Sequence, residues 1–138
     1  MVRRDLFHDA VRDALVKEGW SITHDPFHVV IGGVEMAIDL GAELLIAVER
    51  DGEKIAVEIK SFVSASAISE FHTALGQYLN YRRALAKTDP DRMLYLAIPF
   101  ETYDSFFSLP FVREAVDDFR MRLIVYDAEE EVIIKWIN

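Results

Sequence analysis

The sequence predicts an α/β (α+β) fold in which a central mixed β-sheet is flanked by helices, with the element order αβββαβαββ. Three segments carry apolar residues at helical spacing, and the short apolar or alternating segments between them are typical of β-strands. This order of strands and helices favours one mixed sheet. The chain has 138 residues, 51% hydrophobic and 28% charged, so we expect a single domain with one core over residues 1–138.

The N-terminal part is predicted to contain one helix and two strands. The first helix has apolar residues at i, i+3, i+4, i+7 and i+8 and ends at Gly19. These residues are Phe7, Ala10, Val11, Ala14 and Leu15. The next segment, WSITHDPFHVVIGG, is predicted to form a strand, a turn at the proline and a second strand.

The middle of the chain is predicted to form a hairpin followed by a long helix. The segments EMAIDLGAELLIAVE and KIAVEIKSF have strand patterns, and Asp51-Gly52 between them is a strong signal for a two-residue turn. The segment SASAISEFHTALGQYLNYRRALAKTDP is typical of a helix that a serine caps and that ends before Pro90.

The C-terminal part is predicted to contain three strands and an interrupted helix. RMLYLAI is apolar enough for a central strand. ETYDSFFSLPFVREAVDDF has helical character, but Pro110 should break it, because proline cannot donate the helical hydrogen bond. MRLIVYD and EVIIKWI are predicted to close the chain as a second hairpin.

Composition excludes several classes of protein. The formal net charge of −9 repels a polyanion, so DNA binding would need a local basic patch, a metal ion or a basic partner. The absence of cysteine excludes disulfides and thiolate zinc sites and favours a cytoplasmic location. No apolar run reaches the roughly 20 residues of a membrane span, and the N-terminus lacks a signal-peptide core. We therefore expect no membrane association.

Other catalytic motifs find little support in the sequence. Gly32-Gly33 lacks the lysine and helix of a phosphate-binding loop. The four histidines do not have zinc-ligand spacing, and the serines of SFVSASAIS are not in a G-x-S-x-G motif.

The strand KIAVEIKSF contains an acid and a base where an apolar strand is expected. Side chains alternate along a strand, so Ala56, Glu58 and Lys60 share one face while Val57 and Ile59 share the other. An edge strand with a solvated ion pair would explain this pattern. Metal-dependent phosphodiester hydrolysis would explain it too, because carboxylates bind Mg²⁺ and a lysine stabilises the charged transition state.

The arrangement resembles the PD-(D/E)XK nuclease superfamily, which has an acid on one strand, Glu-x-Lys on the next, and a helix often bearing a glutamine. The matching residues are Asp39, Glu58, Lys60 and Gln77, with Tyr81 completing a Gln-x-x-x-Tyr pattern. The longer strings GWSITHDP, IDLGAE, IAVEIKSF, ALGQYLNYR, DRMLYLAIP and IKWI are similar, more specifically, to the XisH family. That resemblance covers nearly the whole chain.

The resemblance implies a restriction-endonuclease-like PD-(D/E)XK fold and a role in excision of the fdxN DNA element. It also implies hydrolysis of DNA with Mg²⁺ (or Mn²⁺), which Asp39 and Glu58 would bind. A companion excision-controlling factor or a recombinase is the expected protein partner. The alternative is a factor without catalytic activity that keeps the nuclease fold and regulates a recombinase.

The sequence leaves open which carboxylate would bind the metal ion together with Glu58. A two-residue turn at Asp51-Gly52 would pair Leu45 with Glu58 and Glu43 with Lys60. Asp39 would then lie on the order of 20 Å from Leu45 along a straight strand. The family resemblance therefore favours Asp39, with a bend at Gly41, whereas the hairpin register favours Glu43.

Helical spacing adds three candidates and a basic surface. His8 lies at the edge of the apolar stripe of the first helix, where it is either structural or close to the site. Gln77 and Tyr81 share one row of the long helix, either as an ordinary polar flank or as contacts to water or phosphate. The basic residues that could contact phosphate are Arg3, Arg4, Arg82, Arg83 and Lys87.

The sequence also predicts association with another protein chain. The segment DSFFSLPF and the pair Trp136-Ile137 are apolar, and we expect them to support a homodimer or a bound partner.

Overall fold

The computed structural model describes residues 7–44 and 52–138. Its helices occupy the predicted segments. The predicted C-terminal helix is interrupted before Pro110, which stands in the first turn of the last helix. Ser66 caps the long helix, because its hydroxyl accepts a hydrogen bond from the N–H of Ser69 at 3.2 Å. The helices are α1 (His8–Lys17), α2 (Ala67–Thr88), α3 (Phe100–Ser105) and α4 (Pro110–Asp118).

The strands of the described ranges form one six-stranded sheet and one two-stranded sheet. They are β1 (Trp20–His24), β2 (Phe27–Ile31), β3 (Val34–Ile38), β4 (Leu40–Leu44), β5 (Glu53–Ile59), β6 (Arg92–Pro99), β7 (Leu123–Asp127) and β8 (Val132–Ile137). The large sheet has the order β1-β4-β5-β6-β7-β8. Strand β6 is parallel to both neighbours and the other pairs are antiparallel, so the predicted mixed sheet, the central strand and the C-terminal hairpin are confirmed.

Two predictions about the strands were wrong. Residues 35–49 were expected to form one strand, but the chain bends at Asp39, and β3 and β4 are separate strands. Strand β3 pairs with β2 in a separate two-stranded sheet rather than joining the large one. The predicted element order αβββαβαββ therefore has two strands fewer than the structure, and it counts α3 and α4 as one helix.

The predicted register between β4 and β5 was also wrong. Leu40 lies opposite Val57, and Glu43 lies opposite Lys54 rather than opposite Lys60. The physical reason is that Leu44 lies opposite Glu53, so the two strands do not pair in the register that a two-residue turn at Asp51-Gly52 requires. The predicted turn included Asp51, and one predicted pair included Leu45. Both residues lie outside the described ranges.

The large sheet is covered on both faces, as predicted. On one face, α1 contributes Val11 and Leu15 to a cluster with Ile55, Val57 and Ile59 of β5. On the other face, the apolar side of α2 packs against Ala56 and the first residues of β6, in a cluster that includes Phe71, Ala74, Tyr78, Leu94 and Leu96. No helix in the described ranges is both long enough and apolar enough to cross a membrane.

Candidate active site

The end of β5 places Glu58 and Lys60 on the sheet face that α2 covers. Glu58 follows Ala56 by two residues, and Ala56 belongs to the cluster beneath α2, so strand alternation directs both side chains to that face. Glu58 is only 5% exposed. The Lys60 Nζ atom lies 3.6 Å from the Glu58 Oε1 atom. The pair is therefore internal and does not form a solvated ion pair on an edge strand.

The bend between β3 and β4 brings Asp39 to the same place. Its Oδ2 atom accepts a hydrogen bond from the backbone N–H of Ile59 at 2.8 Å. Its carboxyl group is also hydrogen-bonded to that of Glu58. A buried N–H at the end of β5 thus fixes Asp39, which explains locally why the strand is interrupted there.

The structure brings Asp39, and not Glu43, to Glu58. Glu43 lies opposite Lys54, four residues along β5 from Glu58, which is roughly 13 Å at about 3.3 Å per residue. The sequence argument for Glu43 assumed the register of a two-residue turn at Asp51-Gly52, and the observed register is different.

The surroundings of Glu58 perturb its carboxyl group strongly. Burial is the largest cause of a raised pKa at Glu58, and the charge of Asp39 is the next; with the opposing effect of Lys60, the pKa of Glu58 is about 8. The Glu58 Oε2 atom is buried and has no hydrogen-bond partner among the described residues. The pair therefore retains a proton at neutral pH unless a cation replaces it.

Helix α2 contributes Tyr81 and Gln77 to this face. Burial, and after it the negative charges of Glu58 and Asp39, together raise the pKa of Tyr81 to about 12, so the phenol lies close enough to interact electrostatically with both carboxyl groups. Gln77 lies one turn earlier on the same row of the helix. Its Oε1 atom is buried without a hydrogen-bond partner in the described part of the chain.

One positioning contact was not predicted from the sequence. The hydroxyl of Tyr126, a fully buried residue of β7, donates a hydrogen bond to the backbone carbonyl of Lys60 at 3.2 Å. Phe7 packs edge-on against the Tyr126 ring. The only sequence signal was a hydroxyl inside an otherwise apolar strand, and it did not indicate which residue the hydroxyl would contact.

His8 and Arg83 make contacts that do not involve the carboxylate pair. His8 is buried on α1, which covers the opposite face of the sheet, and its Nε2 atom lies 2.9 Å from the Asp25 Oδ1 atom. Arg83 is exposed and donates a hydrogen bond to the Asn80 side chain. Arg3 and Arg4 lie outside the described residues.

The donor atoms suit a hard divalent cation. Mg²⁺ in proteins is often held by one or two carboxylates, with water and substrate oxygens completing the octahedron. Asp39 and Glu58 supply two such groups, and one buried oxygen of Glu58 is unsatisfied within the described chain. Within residues 7–44 and 52–138, no cluster of three or more His, Asp or Glu side chains could hold a metal ion.

Together the fold and the site define a mixed α/β domain with an internal carboxylate–lysine cluster on one face of its sheet. Residues 1–134 match the family model described as XisH protein. The chain belongs to the XisH family.

Two solved structures are similar to this chain. An XisH family protein from Nostoc punctiforme PCC 73102 has 51% sequence identity and a TM-score of 0.88, with 97% of this chain and 100% of that chain covered. An fdxN element excision controlling factor protein from Anabaena variabilis has 53% identity and a TM-score of 0.88, with 98% and 100% covered. No protein with a curated description matches the chain significantly.

Proposed function

We propose that the chain takes part in the excision of a DNA element and hydrolyses DNA phosphodiesters with Mg²⁺ (or Mn²⁺) on a PD-(D/E)XK nuclease-like fold. The observation that carries the proposal is the cluster of Asp39, Glu58 and Lys60 on one face of the sheet. The name of the Anabaena variabilis relative, an fdxN element excision controlling factor at 53% identity, supports the biological process.

In the proposed mechanism, Asp39 and Glu58 hold the cation through their carboxylate oxygens. When bound, Mg²⁺ withdraws charge from the phosphoryl oxygens and acidifies a coordinated water. Lys60 donates hydrogen bonds to the phosphate or to the attacking water, and its ammonium stabilises the negative charge that develops. Gln77 and Tyr81 hydrogen-bond the substrate from the side of α2. The hydroxyl of Tyr126 fixes the backbone from which Lys60 extends.

Lys60→Ala should reduce cleavage by about 100-fold or more, because it removes the charge beside the reacting phosphate. Cleavage is measured on single-stranded, nicked and branched DNA with Mg²⁺ or Mn²⁺, and the free energy of unfolding is measured in parallel. The matched control is Lys17→Ala, since the Lys17 side chain is exposed and donates its hydrogen bonds, within the described residues, to the carbonyls of Glu130 and Glu131. The proposal would be contradicted if the two variants cleaved equally well. It would also be contradicted if wild type cleaved none of these DNAs.

Binding of Mn²⁺ should strengthen as the pH rises towards about 8, the pKa of Glu58, and level off above it. Below that pH the proton of Glu58 must leave before both carboxylates can bind the ion. Calorimetry in two buffers of different ionisation enthalpy measures the affinity and the number of protons released. Affinity that does not change with pH, without proton release, would exclude a metal on this pair.

A second function, regulation of a recombinase without catalysis, is supported by different observations. The chain has a net charge of −9, and no group of three or more His, Asp or Glu side chains in the described part of the chain could hold a metal ion. Leu109 and Phe111 are exposed apolar residues that would suit a homodimer, a companion excision-controlling factor or a recombinase. DNA binding by wild-type protein without cleavage of any substrate would favour this function.

A further inference from the structure

A small pocket lined by three arginines lies away from the carboxylate pair. It is bounded by the C-terminal half of α2 and by the residues at the start of β6 and β7, and its volume is about 110 Å³. The arginines are Arg82, Arg92 and Arg122. Three arginines around one pocket are unusual in a chain whose net charge is −9. Like charges repel, so their proximity requires an explanation.

Arg82 is held rigidly at one side of the pocket. Its Nη1 atom donates hydrogen bonds to the carbonyl oxygens of Phe119 at 2.6 Å and Arg120 at 3.3 Å. The guanidinium carbon lies 5.3 Å from the centre of the Tyr78 ring. A guanidinium has five N–H groups, and these contacts use only one of its nitrogens. The remaining donors are therefore oriented before any ligand arrives.

Arg122 and Arg92 differ in what satisfies their charges. Arg92 forms an ion pair with Asp89, at 2.9 Å. The half-buried side chain of Arg122 has no hydrogen bond or ion pair among the described residues. Its backbone is fixed, because its N–H donates a hydrogen bond to the Tyr78 hydroxyl at 2.9 Å. A partly desolvated guanidinium without an acceptor is costly, and an anion would remove that cost.

We infer that this pocket binds a phosphate group, with Arg82 and Arg122 as its ligands. The pocket volume of about 110 Å³ is several times the roughly 10–15 Å³ that a cavity needs to hold one water, so the pocket has room for a small oxyanion. Leu85 and Leu94 line the same pocket, and such apolar walls strengthen the attraction between guanidinium and phosphate. The site shares no residue with the carboxylate pair and does not depend on hydrolysis.

The experiment measures binding of inorganic phosphate by calorimetry and by the shift in melting temperature, with chloride at equal ionic strength as the reference. Wild type should bind phosphate, and Arg122→Gln should weaken binding about 10- to 100-fold, the value expected for lost charge-assisted hydrogen bonds. Arg122→Lys should lie between them, since it keeps the charge and loses the planar fork. Arg113→Gln, on the exposed surface of α4, should bind as wild type does.

Oligonucleotides with and without a 5′-phosphate then identify the source of the phosphate. Binding that depends on Arg122 only with the 5′-phosphate indicates a strand end, and equal dependence without it indicates the backbone. Dependence for inorganic phosphate alone indicates the free ion, so each of these outcomes supports the site. The inference is overturned if wild type does not bind phosphate, or if folded Arg122→Gln binds it as tightly as wild type. Neither result bears on cleavage at Asp39 and Glu58.

Discussion

Glu58→Gln is expected to raise the stability of the folded protein at alkaline pH, by about 2–3 kcal/mol near pH 9. Glu58 is 5% exposed and shares a hydrogen bond with the Asp39 carboxyl group. In the wild type, ionising Glu58 at high pH places a second negative charge in a buried site. Glutamine has nearly the same shape and remains neutral, so it removes this cost and can still hydrogen-bond Asp39.

The sign of the effect follows from the pKa of Glu58. Burial and Asp39 raise that pKa from 4.5 to about 8, so between these values the folded protein holds a proton that the unfolded chain has released. The free energy of unfolding therefore falls as the pH rises through this window, and the stabilising contribution is fully present only below about 4.5. Glu58→Gln removes this dependence.

The measurement is thermal or chemical unfolding of wild type and Glu58→Gln at several pH values between about 5 and 9. The two proteins should have similar stability at the acidic end and diverge as the pH rises. The exposed acid Glu114 provides the matched control, because Glu114→Gln should change stability by the same small amount at every pH. A difference for Glu58→Gln that is constant over the whole pH range would refute the assignment of a buried, protonated carboxyl group.

The same substitution separates stability from function. If Glu58 binds a cation, Glu58→Gln should lose Mn²⁺ binding while it gains stability. A site that destabilises the fold in the absence of its ligand is a known pattern in functional proteins. A variant that is more stable and still binds the metal would indicate that Glu58 has another role.

Elements that depend on local signals were predicted well from the sequence. Helix α2 has its serine cap, and the interruption at Pro110 follows from the missing N–H of proline. Strand β6 is central, as its continuous apolar sequence indicated. Side-chain alternation on β5 placed Glu58 and Lys60 on one face without knowledge of the tertiary structure.

Features that depend on distant contacts were not predictable in the same way. The bend at Asp39 is stabilised by the N–H of Ile59, twenty residues later, and the surrounding sequence continues the apolar pattern of a strand. The register of β4 against β5 differs from the one that the local Asp51-Gly52 signal predicted. Asp39 was assigned to the site from the family resemblance. No sequence pattern indicated the hydrogen bond between Tyr126 and Lys60.

Arg92→Met is expected to lower the free energy of unfolding by about 3–4 kcal/mol, a large part of the 5–15 kcal/mol typical of a domain. Arg92 is only 6% exposed. Its Nε atom donates a hydrogen bond to Asp89 and its Nη1 atom to the buried carbonyl of Ile55, each at 2.9 Å. The guanidinium carbon lies 4.6 Å from the centre of the Phe27 ring. One side chain thus connects the end of α2, strand β5 and strand β2.

Methionine fills most of this volume, but it leaves the polar partners unsatisfied. The buried carbonyl of Ile55 loses its side-chain donor. Partial burial raises the pKa of Asp89, but hydrogen bonds from Lys54 and Arg92 and their charges outweigh it, so the net pKa is lowered. A lowered carboxylate pKa stabilises the fold above its ordinary range and ceases to do so as the pH falls. The penalty of Arg92→Met should therefore be largest at neutral pH and smaller in acid.

Chemical denaturation of wild type, Arg92→Met and Arg92→Lys tests this at neutral and acidic pH. The lysine variant should fall between the other two, because it keeps the charge but cannot reach Asp89 and Ile55 together. The control is Arg83→Met, since Arg83 is exposed and its side chain donates a hydrogen bond to Asn80 at the surface. The effect of this substitution should remain within about 0.5 kcal/mol. A loss of less than about 1 kcal/mol for Arg92→Met would mean that the fold relaxes around the missing guanidinium.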